Sequence, residues 1–249
     1  MIPYGRQFID DADIDAVVET LKSDWLTQGP RVPQFEKTLA SYCGAKFGVA
    51  VNSATSALHI ACLALEVSEG DIVWTSPNSF VASANCAIYC GASIDFVDID
   101  INSGNISVDA LSDKLAIAKR QGNLPKVVIP VHFAGQPCDM KRIAELAHTY
   151  QFKVIEDASH AVGARCGNDP IGNCKYSDIC VFSFHAHAIC VVFLYFRCGA
   201  LSQPKICFQY AASQLLFFRR QSRICFSNRR SLTTLKPTIE SKNHYRLRP

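Results

Sequence analysis

The chain has 249 residues, of which 49% are apolar, ample for the packed core of one large α/β domain or two smaller ones. Its net charge of +3 conceals a break: residues 1–185 carry 14 Lys and Arg against 21 Asp and Glu, whereas residues 186–249 carry 11 Lys and Arg against the single acid Glu240. The opening Met1-Ile2-Pro3-Tyr4-Gly5 lacks a charged region followed by an apolar stretch, and the longest apolar run, residues 188–196, is about half of what a membrane span needs; neither a signal peptide nor a membrane span is expected, and a cytoplasmic location is expected.

In chain order, residues 10–24 open with acids and set Ile14, Val17, Val18 and Leu21 on one stripe, which predicts an amphipathic helix. Residues 34–42 repeat that pattern more briefly. Short β-rich runs then alternate with helical ones: 48–51 leads into 55–65, 72–75 into 80–89, and 94–97 is followed by the helical stretch 108–120. The buried-strand run 126–131 precedes a helix over 139–150, and strands over 153–156 and 179–183 follow. Strand–helix alternation at this spacing predicts a mostly parallel sheet with helices on both faces. After His185 the order dissolves. Residues 191–196 read as a strand and 209–218 as helical, while Arg219, Arg220, Arg223, Arg229 and Arg230 follow without an amphipathic period.

Four stretches suggest chemistry. Asn52-Ser53-Ala54-Thr55-Ser56-Ala57 lies between a strand and a helix, where small residues and free N–H groups suit an anion; the same residues also cap helices for purely structural reasons. Thr75-Ser76-Pro77-Asn78-Ser79-Phe80 puts an aromatic at a helix start, either to stack on a flat ring or as plain core. Glu156-Asp157-Ala158-Ser159-His160 sets acids at the carboxyl end of a parallel strand, where α/β folds bind ligands. A carboxylate there can hold the proton on a pyridine nitrogen, and His160 can bond beside it, although a helix cap and a core histidine read equally well. Ser183 ends the last clear strand and offers a further hydroxyl. The twelve cysteines are scattered without a CxxC pair, with Cys86 and Cys90 four apart in one helical stretch and Cys62 in another; buried free thiols are expected rather than disulfides or zinc ligands.

Together these motifs, with Val131-His132-Phe133-Ala134-Gly135-Gln136-Pro137-Cys138-Asp139-Met140 and Trp25-Leu26-Thr27-Gln28-Gly29-Pro30, resemble the DegT/DnrJ/EryC1/StrS family of pyridoxal-phosphate (PLP) dependent nucleotide-sugar aminotransferases. Within it they look most like the branch that aminates C4 of UDP-linked keto-hexoses in the pseudaminic acid pathway. The resemblance runs from Tyr4 to His185. It implies a fold-type I large domain over residues 1–185 and a homodimer. Ser53, Ala54, Thr55 and Ser183 would hold the cofactor phosphate, Phe80 would lie over the ring, Asp157 would pair with its nitrogen, and His160 would sit beside it. Tyr4, Asp24, Trp25, Leu26, Thr27, Ala54 and Ser183 match positions that meet the UDP-sugar. The implied reaction moves an amino group from glutamate to C4 of a UDP-linked 4-keto-6-deoxy-hexosamine.

The chain departs from the family where Ser183-Phe184-His185 should be followed by the lysine that tethers the cofactor. That position is Ala188, or Cys190 with a two-residue slip, and no glycine-rich stretch follows. The expectation is a truncated or frameshifted member with a divergent basic tail over residues 186–249, any PLP bound non-covalently, and no useful transaminase turnover. Two other readings stand beside it. His187 next to the lysine position suggests a keto-sugar dehydratase that uses pyridoxamine phosphate (PMP), and the Arg-rich tail suggests binding of nucleic acid or another anionic surface.

Overall fold

A computed structural model of the chain describes residues 9–184 and the backbone of residues 192–196. The elements run α1 (Asp11–Lys22), α2 (Arg31–Cys43), β1 (Gly48–Val51), α3 (Ala54–Ala64), β2 (Ile72–Thr75), α4 (Ala82–Tyr89), β3 (Ser93–Phe96), α5 (Val108–Gln121), β4 (Val127–Ile129), α6 (Met140–Tyr150), β5 (Lys153–Asp157), β6 (Arg165–Cys166), β7 (Asp169–Pro170), β8 (Ile179–Ser183) and β9 (Val192–Phe196). Helices α1, α3, α5 and α6 begin where a small polar side chain takes an otherwise unpaired N–H, whereas α2 and α4 follow Pro30 and Val81 without a side-chain cap. Asp10 and Asp13 form a reciprocal capping box on α1, while Ser53, Ser107 and Asp139 cap α3, α5 and α6.

The main sheet has the order β1-β9-β8-β5-β4-β2-β3. From β8 to β3 all neighbours are parallel, and β9 runs antiparallel to both β8 and β1. Alternation along each strand divides the side chains between two faces. Trp74, Val128 and Val154 pack under α5 and α6, and Cys180 and Phe182 under α2 on that same face. The opposite face is covered by α3 and α4, which lie against β8, β5 and β2. The expected α/β architecture, a mostly parallel sheet with helices on both faces, is therefore the observed one, and residues 192–196 are a strand of it.

The expected amphipathic helix over residues 10–24 is observed as α1, and the start of α4 is corrected. The stripe Ile14, Val17, Val18 and Leu21 is exposed, and α1 has no buried residue. Its periodicity identifies a helix with an apolar face but not what that face meets. Helix α4 starts at Ala82, so Phe80 precedes it instead of opening it. The β6–β7 hairpin and the 3-10 turn Phe133–Gly135 carry too few residues for a sequence period to reveal. Tyr4, His187, Ala188, Cys190, the 209–218 helix and the basic tail lie outside the described residues. Among the described residues no helix is long and apolar enough to cross a membrane.

Candidate functional site

Strand direction brings the sequence motifs to one edge. Strands β2, β4, β5 and β8 are parallel, and two successive antiparallel pairings through β9 restore that direction in β1. The carboxyl ends of β1, β2, β5 and β8 therefore open on the same edge, with Ser53–Thr55, Phe80, Asp157 and Ser183 all on it. Val51 and Ser183 both pair with Val192, which sets them two strand spacings apart, ~9.6 Å. Asp157 pairs with Val181, so Ser183 lies one step further along the same face of the sheet.

Asp157 is 4% exposed and is held from both sides. Its N–H donates to Pro130 O at 2.9 Å, its carbonyl accepts from His132 N at 3.1 Å, and the next residue, Ala158, donates to Val181 O at 2.8 Å. Its carboxylate points to the α4 face. Oδ1 accepts from the Ser159 N–H at 3.2 Å and the Ser159 hydroxyl at 2.6 Å. Oδ2 accepts from the Ser83 hydroxyl at 2.6 Å, and Ser83 shares a 2.6 Å bond with Ser79. A carboxylate oxygen accepts two hydrogen bonds, so Oδ1 is filled and Oδ2 keeps one position open. Nearby on the same edge, at the end of β2, Ser76 Oγ is buried without a hydrogen-bond partner.

The adjacent acid faces the other way. Glu156 takes His132 Nε2–H on Oε2 at 2.8 Å and the Ser177 hydroxyl on Oε1. His132 Nδ1 accepts the Cys138 N–H at 3.1 Å. Burial lowers the pKa of the ring, while the Cys138 side chain and Glu156 raise it, with the net direction upward. The Cys138 N–H donating to Nδ1 opposes that rise: a proton on Nδ1 would face it, so with this bond in place the ring carries its proton on Nε2.

The other candidates divide. Ser53 caps α3, accepting the Ser56 N–H at 3.1 Å and meeting the Ser56 hydroxyl at 3.0 Å, with Ala54 and Thr55 half-buried beside it in the first turn. Phe80 is 74% exposed, one turn before Ser83, whose N–H it accepts. His160 is exposed and meets the Phe133 ring edge-on at 6.4 Å; a Cβ on Gly135 would come within 2.9 Å of its carbonyl, which is how the 133–135 turn approaches so closely. Ser183 is half-buried. Asp24, Trp25, Leu26 and Thr27 are exposed in the connection from α1 to α2, and their hydrogen bonds among the described residues are confined to Ser23 and Trp25. They are not joined to the Asp157 cluster. Ser83, Ser159 and Ser76 were missed as site residues. Ser159 carried a signal, being two residues from Asp157, whereas Ser83 lies 74 positions away with no local pattern to mark it.

Known proteins match this chain in sequence and fold. The model of the DegT/DnrJ/EryC1/StrS aminotransferase family covers residues 7–194, reaching past His185 into β9. The spore coat polysaccharide biosynthesis protein SpsC of Bacillus subtilis is 44% identical over 185 residues, 74% of this chain and 46% of that protein. A UDP-4-amino-4,6-dideoxy-N-acetyl-beta-L-altrosamine transaminase of Campylobacter jejuni is 42% identical over 185 residues, 74% of this chain and 47% of that one. The PMP form of Spr1654 from Streptococcus pneumoniae superposes with a TM-score of 0.75 at 28% identity, covering 84% of this chain and 56% of the other. The chain spans about half the length of the curated relatives it matches.

Proposed function

The chain belongs to the DegT/DnrJ/EryC1/StrS aminotransferase family, and we propose that residues 1–185 are the large domain of a PLP-dependent nucleotide-sugar aminotransferase. Its chemistry is transfer of an amino group from glutamate to C4 of a UDP-linked 4-keto-6-deoxy-hexosamine, in line with the Campylobacter jejuni transaminase it is similar to. The observation that carries the reading is Asp157: a nearly buried carboxylate at a parallel-strand end, fixed by two serines, with one acceptor position open.

That donor set fits the cofactor. PLP, when bound, supplies an electron sink and a carbonyl able to exchange an amino group. Asp157 Oδ2 would accept a ring N–H and keep its proton in place. The first-turn amides of α3, with Thr55 and Ser56, would take the phosphate, with the Ser183 hydroxyl beside them. Phe80 and His160 would hold the ring. Tyr4, Asp24, Trp25, Leu26, Thr27 and Ala54 meet the sugar nucleotide, and a second copy completes the site in a homodimer.

The second half of the proposal concerns this chain alone. With Ala188 at the tethering position, the cofactor is held non-covalently. Loss of the general base costs roughly 10²–10⁴ in rate, before any loss of contacts from the unmatched half of the relatives. The test incubates the purified chain with PLP, glutamate and a UDP-linked 4-keto-6-deoxy-hexosamine, and follows the aminated sugar by mass spectrometry. Borohydride reduction and peptide mapping run in parallel. No aminated hexose and no stoichiometric pyridoxyl-lysine are expected. Turnover would overturn the loss of activity, and a stoichiometric pyridoxyl-lysine would show that another amine supplies the tether.

A further inference from the structure

Helix α4 opens without a side-chain cap, although Ser79 lies just before it and Ser83 in its first turn. A serine at such a place ordinarily turns its oxygen to a first-turn N–H or donates back to the carbonyl one turn earlier. Neither use is made of these two. The Ser83 hydroxyl donates across to Asp157 Oδ2 at 2.6 Å, and its oxygen meets the Ser79 hydroxyl at 2.6 Å. Ser83 is fully buried, and its N–H is bonded separately, to the Phe80 carbonyl at 3.1 Å. Both hydroxyls are thus directed to a carboxylate 74 residues beyond Ser83 instead of to the helix at whose start they stand.

The direction of the chain follows from its protons. Ser83 has one hydroxyl proton and a carboxylate oxygen only accepts, so that proton lies toward Asp157 and the one between the serines belongs to Ser79. Ser79 O–H donates to Ser83 Oγ, and Ser83 O–H donates to Asp157 Oδ2. Each link strengthens the next, because a hydroxyl that accepts a hydrogen bond becomes a better donor. On the other carboxylate oxygen both bonds come from Ser159, two residues along the chain, and form a local turn. Ser159 fixes Oδ1. Ser83 fixes Oδ2, and it decides which of the two acceptor positions on that oxygen stays open.

We propose that Ser83, with Ser79 behind it, is a positioning residue for the cofactor ring that acts through Asp157: by filling one acceptor position of Oδ2 it reserves the other for the ring nitrogen. The inference rests on the reading of Asp157 as the acid that pairs with that nitrogen. Without the Ser83 hydroxyl, both positions of Oδ2 are open and the carboxylate is held at one end only. A ring N–H then meets an acceptor that is not set in one direction, and part of the bond's worth goes into ordering the carboxylate.

The test titrates the full chain with PMP by fluorescence, as the parent, Ser83→Ala, Asp157→Asn and the double variant. Ser83→Ala should weaken PMP about 5-fold in the parent and less than about 2-fold beside Asp157→Asn, where the carboxylate it serves is gone. A second titration uses a PMP analogue with C–H in place of the ring nitrogen. The ratio of PMP affinity to analogue affinity should fall about 5-fold in Ser83→Ala, whereas a loss of packing lowers both affinities and leaves the ratio unchanged. Ser79→Ala spares every bond to Asp157 and should lower the same ratio about 2-fold; it carries the test if Ser83→Ala does not unfold cooperatively in urea. Equal losses in the two backgrounds, an unchanged ratio, or parental PMP affinity in Ser83→Ala would overturn the proposal and leave Asp157 in its role. No saturable PMP binding by the parent, or affinity unmoved by Asp157→Asn, would instead overturn the reading beneath it, and the proposal with it.

Discussion

Glu156 and Asp157 are neighbours on one strand, both 4% exposed, and their surroundings differ in kind. The Glu156 side is closed over by buried groups: each oxygen has one partner, His132 or Ser177, and with the Cys138 amide these form a chain of bonds that ties the residues after β4 and the loop before β8 to β5. The Asp157 side opens on the carboxyl edge of the sheet, where Ser83 and Ser159 make three bonds to its carboxylate and one acceptor position is left on Oδ2. Both acids keep acceptor positions, so what separates them is where those positions lie: among buried core groups for Glu156, and at the ligand-binding edge for Asp157. The period of 2 in a β-strand is what allows both within adjacent residues.

The largest expected effect breaks the closed side. Glu156→Ala leaves the His132 Nε2–H and the Ser177 hydroxyl buried without an acceptor, and should cost about 3–5 kcal/mol in urea unfolding. Glu156→Gln keeps an acceptor oxygen for His132 and an amide group that Ser177 can face, and should cost about 1 kcal/mol. A loss well under 1 kcal/mol for the alanine variant would mean that the network holds nothing together.

Part of this contrast was legible in the sequence and part was not. The β-branched runs marked the strands, Ser53 marked a helix start, and Asp157 stood at a strand end where ligands bind. Those signals are local, and local chemistry produced the elements where it pointed. The partners that give the two acids their different characters, Ser83, Ser177 and His132, come from distant stretches and carry no spacing rule. The α1 stripe marked its helix, but amphipathicity states only that a face is apolar, and what covers that face is a tertiary matter. Phe80 shows how little an offset matters chemically, since moving it from the helix start to the turn before α4 keeps it one turn from Ser83.

A smaller effect sharpens the open side. Asp157→Asn preserves the acceptor for Ser159, and its amide can donate to Ser83 once that hydroxyl turns to Ser79, so stability should change by about 1 kcal/mol or less. The charge is lost, however, and with it the ability to hold a protonated ring nitrogen. Smallest of all, Ser53→Ala removes the α3 cap and should cost about 1 kcal/mol, with Ser53→Gly costing only a few tenths. Thermal unfolding of the pair against the parent chain checks the order. Equal losses for alanine and glycine would deny the cap its role.

The most direct measurement is PMP affinity, which needs no tethering lysine, by fluorescence titration of the parent chain, Asp157→Asn and Glu156→Gln. The account predicts saturable binding by the parent, about 10-fold or greater weakening in Asp157→Asn, and affinity close to parental in Glu156→Gln despite its lower stability. Equal affinity for the parent and Asp157→Asn, or no saturable binding by the parent at all, would contradict it.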